Sequence, residues 1–206
     1  MEASDWQAML AKDSFFSHGN GRPCALFVCG CEGAGKTTFL ERFCSCAPLH
    51  DLPLVDVDRL AVRGDGNFLS CGRKAVTQVN TLLASRKSFV RESTLTSFYD
   101  FGVVHRAKQY GYMTGLVFVG VRSADIARKR VQIEPAIVHR HFERGIANLP
   151  LAIELFDRVC LVDNTSPDFK LFARFENRDL KLYTFCPAWF RGIQKEKGYR
   201  FTGVYD

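Results

Sequence analysis

Residues Gly30-Cys-Glu-Gly-Ala-Gly-Lys-Thr37 fit the pattern Gly-x-x-x-x-Gly-Lys-Thr, and their flanks decide how that pattern is read. Ahead of them Cys24-Ala-Leu-Phe-Val-Cys29 is an unbroken apolar run, the mark of a buried strand. Behind them, the stretch from Thr37 to Cys46 carries Phe39, Leu40 and Phe43 at helical spacing. Strand, glycine-rich turn and helix in that order make a phosphate cradle. The turn wraps backbone N–H groups around phosphate oxygens, and glycine serves where no Cβ fits. The helix start adds free N–H groups and the positive end of its dipole. Lys36 is placed to neutralise the outer phosphates, and the Thr37 hydroxyl to ligate magnesium. The expected phosphate-binding set is Gly30, Cys31, Glu32, Gly33, Ala34, Gly35, Lys36, Thr37 and Thr38, and the expected ligand is a nucleoside triphosphate.

The chain has 206 residues, 47% of them hydrophobic, enough to bury one large core, so a single domain over 1–206 is expected. No stretch approaches the ~18 apolar residues of a membrane span, and no membrane contact is expected. Met1-Glu-Ala-Ser-Asp-Trp6 lacks a basic region and an apolar region, so no signal peptide is expected. Eight cysteines are scattered, and Cys29/Cys31 and Cys44/Cys46 are one residue too close for a Cys-x-x-Cys zinc pair. Reduced, mostly buried thiols in a cytoplasmic protein follow. The net charge of +6 suits an anionic ligand and is too dispersed to indicate nucleic acid.

Further along, Leu52–Val57, Ser88–Glu92, Met113–Val121 and Arg158–Val162 are apolar runs expected as strands. Helical spacing fills the intervals: Gly72–Arg86, Ser97–Tyr110, and one or two helices over Ala124–Leu149 punctuated by Pro135. Five such strands with helices between them imply a parallel five-stranded α/β sheet covered on both faces. After Asp168 the pattern changes. Lys170–Phe175 and Leu180–Phe185 alternate apolar and polar around Asn177-Arg-Asp179, expected as a β-hairpin at the sheet edge. The core is thus expected over about 23–166 and a β extension over 167–206. Its last stretch, from Lys195 on, is polar and expected to be poorly ordered, and residues 1–22 are expected to form a short helix and loop.

Phosphoryl transfer needs a cradle, a metal, a carboxylate near the acceptor and cations for the developing charge. Ligands of open parallel sheets bind beyond the carboxyl ends of the strands. Asp56-Val-Asp58 ends the second strand there, with Asp58 placed as general base and Asp56 supporting it or the metal; capping of the next segment is the other reading of Asp58. Glu92 ends the third strand, able to orient an acceptor hydroxyl or hold magnesium through water, with Ser93 and Thr94 beside it. Arg122, Arg128, Lys129, Arg130, Arg140 and Arg144 gather after the fourth strand. Arg140 and Arg144 lie opposite an apolar stripe of Val138, Phe142, Ile146 and Leu149. Such a face is either solvated or a lid over phosphates. Asp163 and Asn164 close the fifth strand, where they either meet a base or form an Asx turn.

In order along Cys24–Thr165, these motifs resemble the compact branch of the zeta-toxin family of P-loop kinases. They are the Gly30–Thr38 loop, Asp56-Val-Asp58, Gly72-Arg73, Ser88-Phe-Val-Arg-Glu-Ser-Thr-Leu-Thr-Ser97, Gly111-Tyr112, Arg140-His-Phe-Glu-Arg-Gly-Ile-Ala-Asn148 and Asp163-Asn-Thr165. The resemblance implies a P-loop NTPase-type, nucleoside-kinase-like three-layer sandwich. It also implies ATP- and Mg2+-dependent phosphorylation of a nucleotide sugar such as UDP-N-acetylglucosamine, by a toxin held by an antitoxin protein. It assigns Lys36, Asp58, Glu92, Arg140 and Arg144 to catalysis, and Arg130 and Asn164 to the nucleotide. Acceptor binding falls to Asp56, Asp58, Arg73, Glu92, Ser93 and Thr94, and magnesium to Thr37 and, through water, Asp58. One departure is plain. Compact relatives carry a Gly-Gly-His-containing lid, where here Arg130-Val-Gln132 passes almost directly to Ile133-Glu-Pro135. The rival functions are another phosphotransferase, acting on a nucleoside, an antibiotic or a polynucleotide end, and an ATP-binding protein without transfer.

Overall fold

The computed structural model describes residues 21–43, 51–56, 68–166, 168–176, 179–182 and 185–199. Strand β1 (Cys24–Cys29) is buried at all six positions, as expected of a strand covered on both faces. It is followed by α1 (Lys36–Phe43), β2 (Leu54–Val55), α2 (Phe68–Ala84), β3 (Phe89–Ser93), α3 (Phe98–Gln109), β4 (Met113–Gly120) and α4 (Ala124–Arg128). Helix α5 (Pro135–Leu155), β5 (Arg158–Asp163), β6 (Lys170–Glu176), β7 (Asp179–Leu182) and α6 (Ala188–Glu196) complete the order.

The sheet order is β2-β3-β1-β4-β5-β6-β7. Its first five strands run parallel, and the hairpin β6–β7 is added antiparallel beside β5. Among the described residues the sheet therefore has seven strands, the five expected parallel ones and the two of the expected hairpin. Alternation along β1 divides the core. Ala25, Phe27 and Cys29 pack toward α2, α3 and α6, while Leu26 and Val28 pack toward α1 and its Phe39 and Phe43. Three layers result.

Helix α5 opens with Pro135 at its first turn, where a missing N–H costs nothing. Its Val138 joins the core on the α1 side, whereas Leu149, Ala152 and Ile153 join the core on the other side. The helix thus passes over the carboxyl ends of the strands, where it meets the turns after β1 and β3. It also runs through Pro150 to Leu155, past the expected end at Leu149. The ring removes one hydrogen bond without ending a helix whose next turn is anchored by buried Ala152 and Ile153. The extension also holds a helix that was not among the expected elements. Phe190 and Ile193 bury α6 against Phe172 and Phe175 of the hairpin, and it reaches Glu196 inside the stretch expected to be poorly ordered. The expected first helix, residue 57 of the second strand, and Asp58 lie outside the described residues.

Candidate functional site

The site forms where β1 and β3 end side by side. Their parallel register pairs Val28 with Glu92 and Cys29 with Ser93, and Gly30 N–H then donates to Ser93 O at 3.2 Å. The loop from Gly30 turns back with an Ala34 N–H to Cys31 O bond of 3.1 Å and enters α1. Three loop glycines are required by geometry. Gly30 has φ +147°, and a Cβ there would strike the Val119 carbonyl. Gly33 has φ +74° and Gly35 φ +103°, and a Cβ would strike the Ala127 carbonyl at Gly33 and the Asn164 amide at Gly35. The first-turn N–H groups of α1 have no intrahelical partner, so this end is a ready anion site.

Lys36 is 8% exposed, donates to Cys31 O at 3.1 Å and stands 3.8 Å from Glu92 Oε1. Thr37 Oγ1 donates to the same carboxylate, 3.1 Å from Oε1 and 3.3 Å from Oε2. A cation, a hydroxyl and a carboxylate thus converge beside a cavity of about 330 Å³. The oxygens of Thr37 and Glu92 are the hard donors that magnesium prefers, so this pair fits that ion. Asp56, buried, follows the Val55–Arg91 pair of β2 and β3, so it sits beside Glu92 at the same sheet edge.

Arg130 and Asn164 close the other side of the cavity. Arg130 donates to the carbonyls of Asn164 and Thr165, both at 2.9 Å, and more weakly to Gly33 O at 3.5 Å. Asn164 Nδ2 donates to Ala34 O at 2.7 Å, so its amide braces the loop, while its Oδ1 is buried without a partner. Asp163 accepts from Thr165 Oγ1 at 2.8 Å and from Trp189 Nε1 of α6 at 2.9 Å.

The other expected residues are placed as follows. Ser93 Oγ donates to Asp100 and accepts from Leu95 N–H at 3.1 Å. Thr94 and Thr96 pair their hydroxyls at 2.8 Å. Arg73 is exposed on α2, and Arg140 and Arg144 are exposed on α5. Gly30, Cys31, Ala34 and Thr38 stand in the loop and first turn as expected. Burial pushes the Cys31 thiol up to about 11, with nearby Lys36 pulling the other way, so the loop cysteine is held as an inert thiol. No group of His, Cys, Asp and Glu among the described residues has the arrangement of a metal cluster. No helix among them is long and apolar enough to cross a membrane.

Two contacts were missed by sequence reasoning. His141 Nδ1 meets Glu32 Oε1 at 2.6 Å, joining α5 to the phosphate loop. Trp189 meets Asp163, joining α6 to the end of β5. The second had a signal, Trp189, Phe190 and Ile193 at helical spacing; the first had none beyond a carboxylate where the loop needs no charge.

No family model and no curated protein matches this chain. Solved structures do. The PezAT chromosomal toxin-antitoxin system of Streptococcus pneumoniae aligns over 100% of this chain and 91% of its own, at TM-score 0.59 and 16% identity. The AvrRxo1-ORF1:ORF2 complex with ATP aligns over 99% and 71%, at TM-score 0.63 and 13% identity. At these identities the likeness is one of fold: an α/β sandwich around a mostly parallel sheet. A shorter match, 62% of this chain and 45% of the other at TM-score 0.51 and 16% identity, is to the Pnkp1/Rnl/Hen1 RNA repair complex.

Proposed function

We propose that this protein is an ATP- and magnesium-dependent kinase that phosphorylates a hydroxyl of a small nucleotide sugar of the UDP-N-acetylglucosamine kind. We further propose that it acts as a toxin restrained by an antitoxin protein. The observation that carries the reading is the convergence of Lys36, Thr37 and Glu92 at the joined ends of β1 and β3, beside a cavity roofed by Arg130. Likeness of fold to the PezAT system and to the AvrRxo1 complex with ATP supports it.

In the proposed reaction the acceptor oxygen forms a bond to the γ-phosphorus as the bond from that phosphorus to the β-bridging oxygen breaks, and ADP leaves. The acceptor's proton passes to a carboxylate, the role assigned to Asp58. Bound magnesium would neutralise charge on the phosphate oxygens. Lys36 and the loop amides bind the phosphates, Thr37 and Glu92 would hold the metal, and Glu92 with Asp56 orients the acceptor. The Ser93–Asp100 bond fixes the turn after β3 and so the position of Thr94. Arg140 and Arg144 supply cations to a transition state whose charge spreads over three oxygens.

Incubation with ATP, magnesium and a panel of UDP-sugars, read by mass spectrometry, is expected to yield ADP and a phosphorylated UDP-amino-sugar. Phosphate on nucleosides or RNA ends alone would move the protein to another kinase class, the RNA end being the acceptor toward which the exposed Arg122, Arg128 and Lys129 would point. ATP binding with no transfer to any acceptor would reduce it to a binding protein.

A further inference from the structure

We propose that Glu32 and His141 are positioning residues that tie helix α5 to the phosphate loop, so that the tie sets where Arg140 and Arg144 stand relative to the transferring phosphoryl group; this rests on the kinase reading. The middle of a Gly-x-x-x-x-Gly-Lys-Thr loop needs no carboxylate, and a negative charge inside a phosphate cradle opposes the ligand. Glu32 is nevertheless there, its side chain only 15% exposed and turned to His141, 109 residues away, at 2.6 Å. Its second oxygen, Oε2, is buried with no partner, so His141 is the group that orients this carboxylate. Burying half a carboxylate unpaired is costly, and such a cost is tolerated where it fixes a site.

The tie is the first of three along one stripe of α5. Four residues on, Gly145 lies so close to the acceptor-side turn that a Cβ there would stand 3.1 Å from Thr94 O. Three further on, Asn148 Nδ2 donates to Leu95 O at 2.8 Å, holding a leucine whose φ is +60°. Positions 141, 145 and 148 recur at the helical period, so one face of α5 touches both the phosphate loop and the turn after Glu92. Arg140 and Arg144 each precede a member of this stripe by one residue and are exposed beside it. Here the connection before α5 is short, Lys129 to Glu134, so the helix is anchored across its contacts and not by a long lid.

The test uses the full chain with Glu32→Gln, His141→Phe and His141→Asn. Asparagine places an N–H donor near the imidazole Nδ1 position, whereas phenylalanine keeps the ring and loses the bond. Amide hydrogen exchange with ATP and magnesium present is expected to speed up over residues 136–148 in Glu32→Gln and His141→Phe, and to stay near wild type in His141→Asn. In transfer to UDP-N-acetylglucosamine, the first two are expected to lose about 10- to 100-fold in kcat, with KM for ATP changed less than about threefold. Unchanged exchange in all three variants, or His141→Phe behaving as well as His141→Asn, would overturn the tie. If the wild type transfers phosphate to no acceptor, the kinase reading falls and the exchange result alone decides: loosening upholds the tie, equality removes it.

Discussion

Thr37 Oγ1 and the Glu92 carboxylate, 55 residues apart in the chain, meet at 3.1 Å because β1 and β3 are neighbours in parallel register. The pairing of Val28 with Glu92 puts the end of β3 beside the phosphate loop, and Lys36, 3.8 Å from the same carboxylate, completes a compact charge arrangement. Both side chains of the ion pair are 8% exposed, so neither charge is spent on water.

Lys36→Ala is accordingly expected to weaken ATP binding by about 1.5–3 kcal/mol, the worth of a charge-assisted contact. It also leaves Glu92 without its nearest described cation. Titration calorimetry with ATP and magnesium, on variant and wild type shown to be folded by circular dichroism, measures this. Equal affinities would remove the loop from the nucleotide site.

A second expectation concerns acid stability at the opposite end of the sheet. Asp157 is partly buried, which alone would raise its carboxyl, but hydrogen bonds from Lys108 and from Thr114 outweigh that and hold it below the usual carboxylate value. A carboxyl lowered in the folded state adds stability above its unfolded value, near 3.9, and the addition fades as pH falls through the folded value. Asp157→Asn is therefore expected to be less stable than wild type at pH 7, with the gap closing only below about pH 4. Urea unfolding across pH 2.5–7 reads it out, and a gap that does not change with pH would contradict the assignment.

The five parallel strands were legible because each is an apolar run of its own, such as the fully buried Cys24–Cys29. Their order was not, since which strand pairs with which depends on packing between residues far apart in sequence. Lys36, Thr37 and Glu92 could be named in advance because each ends or follows an apolar run at the ligand edge of the sheet. The Glu32–His141 contact could not, because it exists only once α5 crosses from the core around Val138 to the core around Leu149. The helix expected to end at Leu149 runs on through Pro150 to Leu155, and α6 was too short to stand out against the polar tail. Asn164 was read as meeting a base or forming an Asx turn, and no sequence pattern shows that its amide braces Ala34 of the loop.

The last expectation separates binding from turnover on α5. Arg140 and Arg144 are exposed and lie one turn apart, and neither makes a hydrogen bond or ion pair with the described residues. Replacing either by Ala is expected to shift folding stability by no more than about 0.5 kcal/mol, as for other surface sites. A cation beside the transferring phosphoryl group stabilises charge that develops in the transition state, so the same changes are expected to lower kcat far more than they weaken ATP binding. Thermal unfolding, ATP calorimetry and transfer kinetics on the same two proteins measure the three quantities. Loss of ATP affinity equal to the loss in kcat/KM would make the arginines ground-state ligands. Wild-type turnover in both would return α5 to a solvated face that meets the site through Glu32, Thr94 and Leu95.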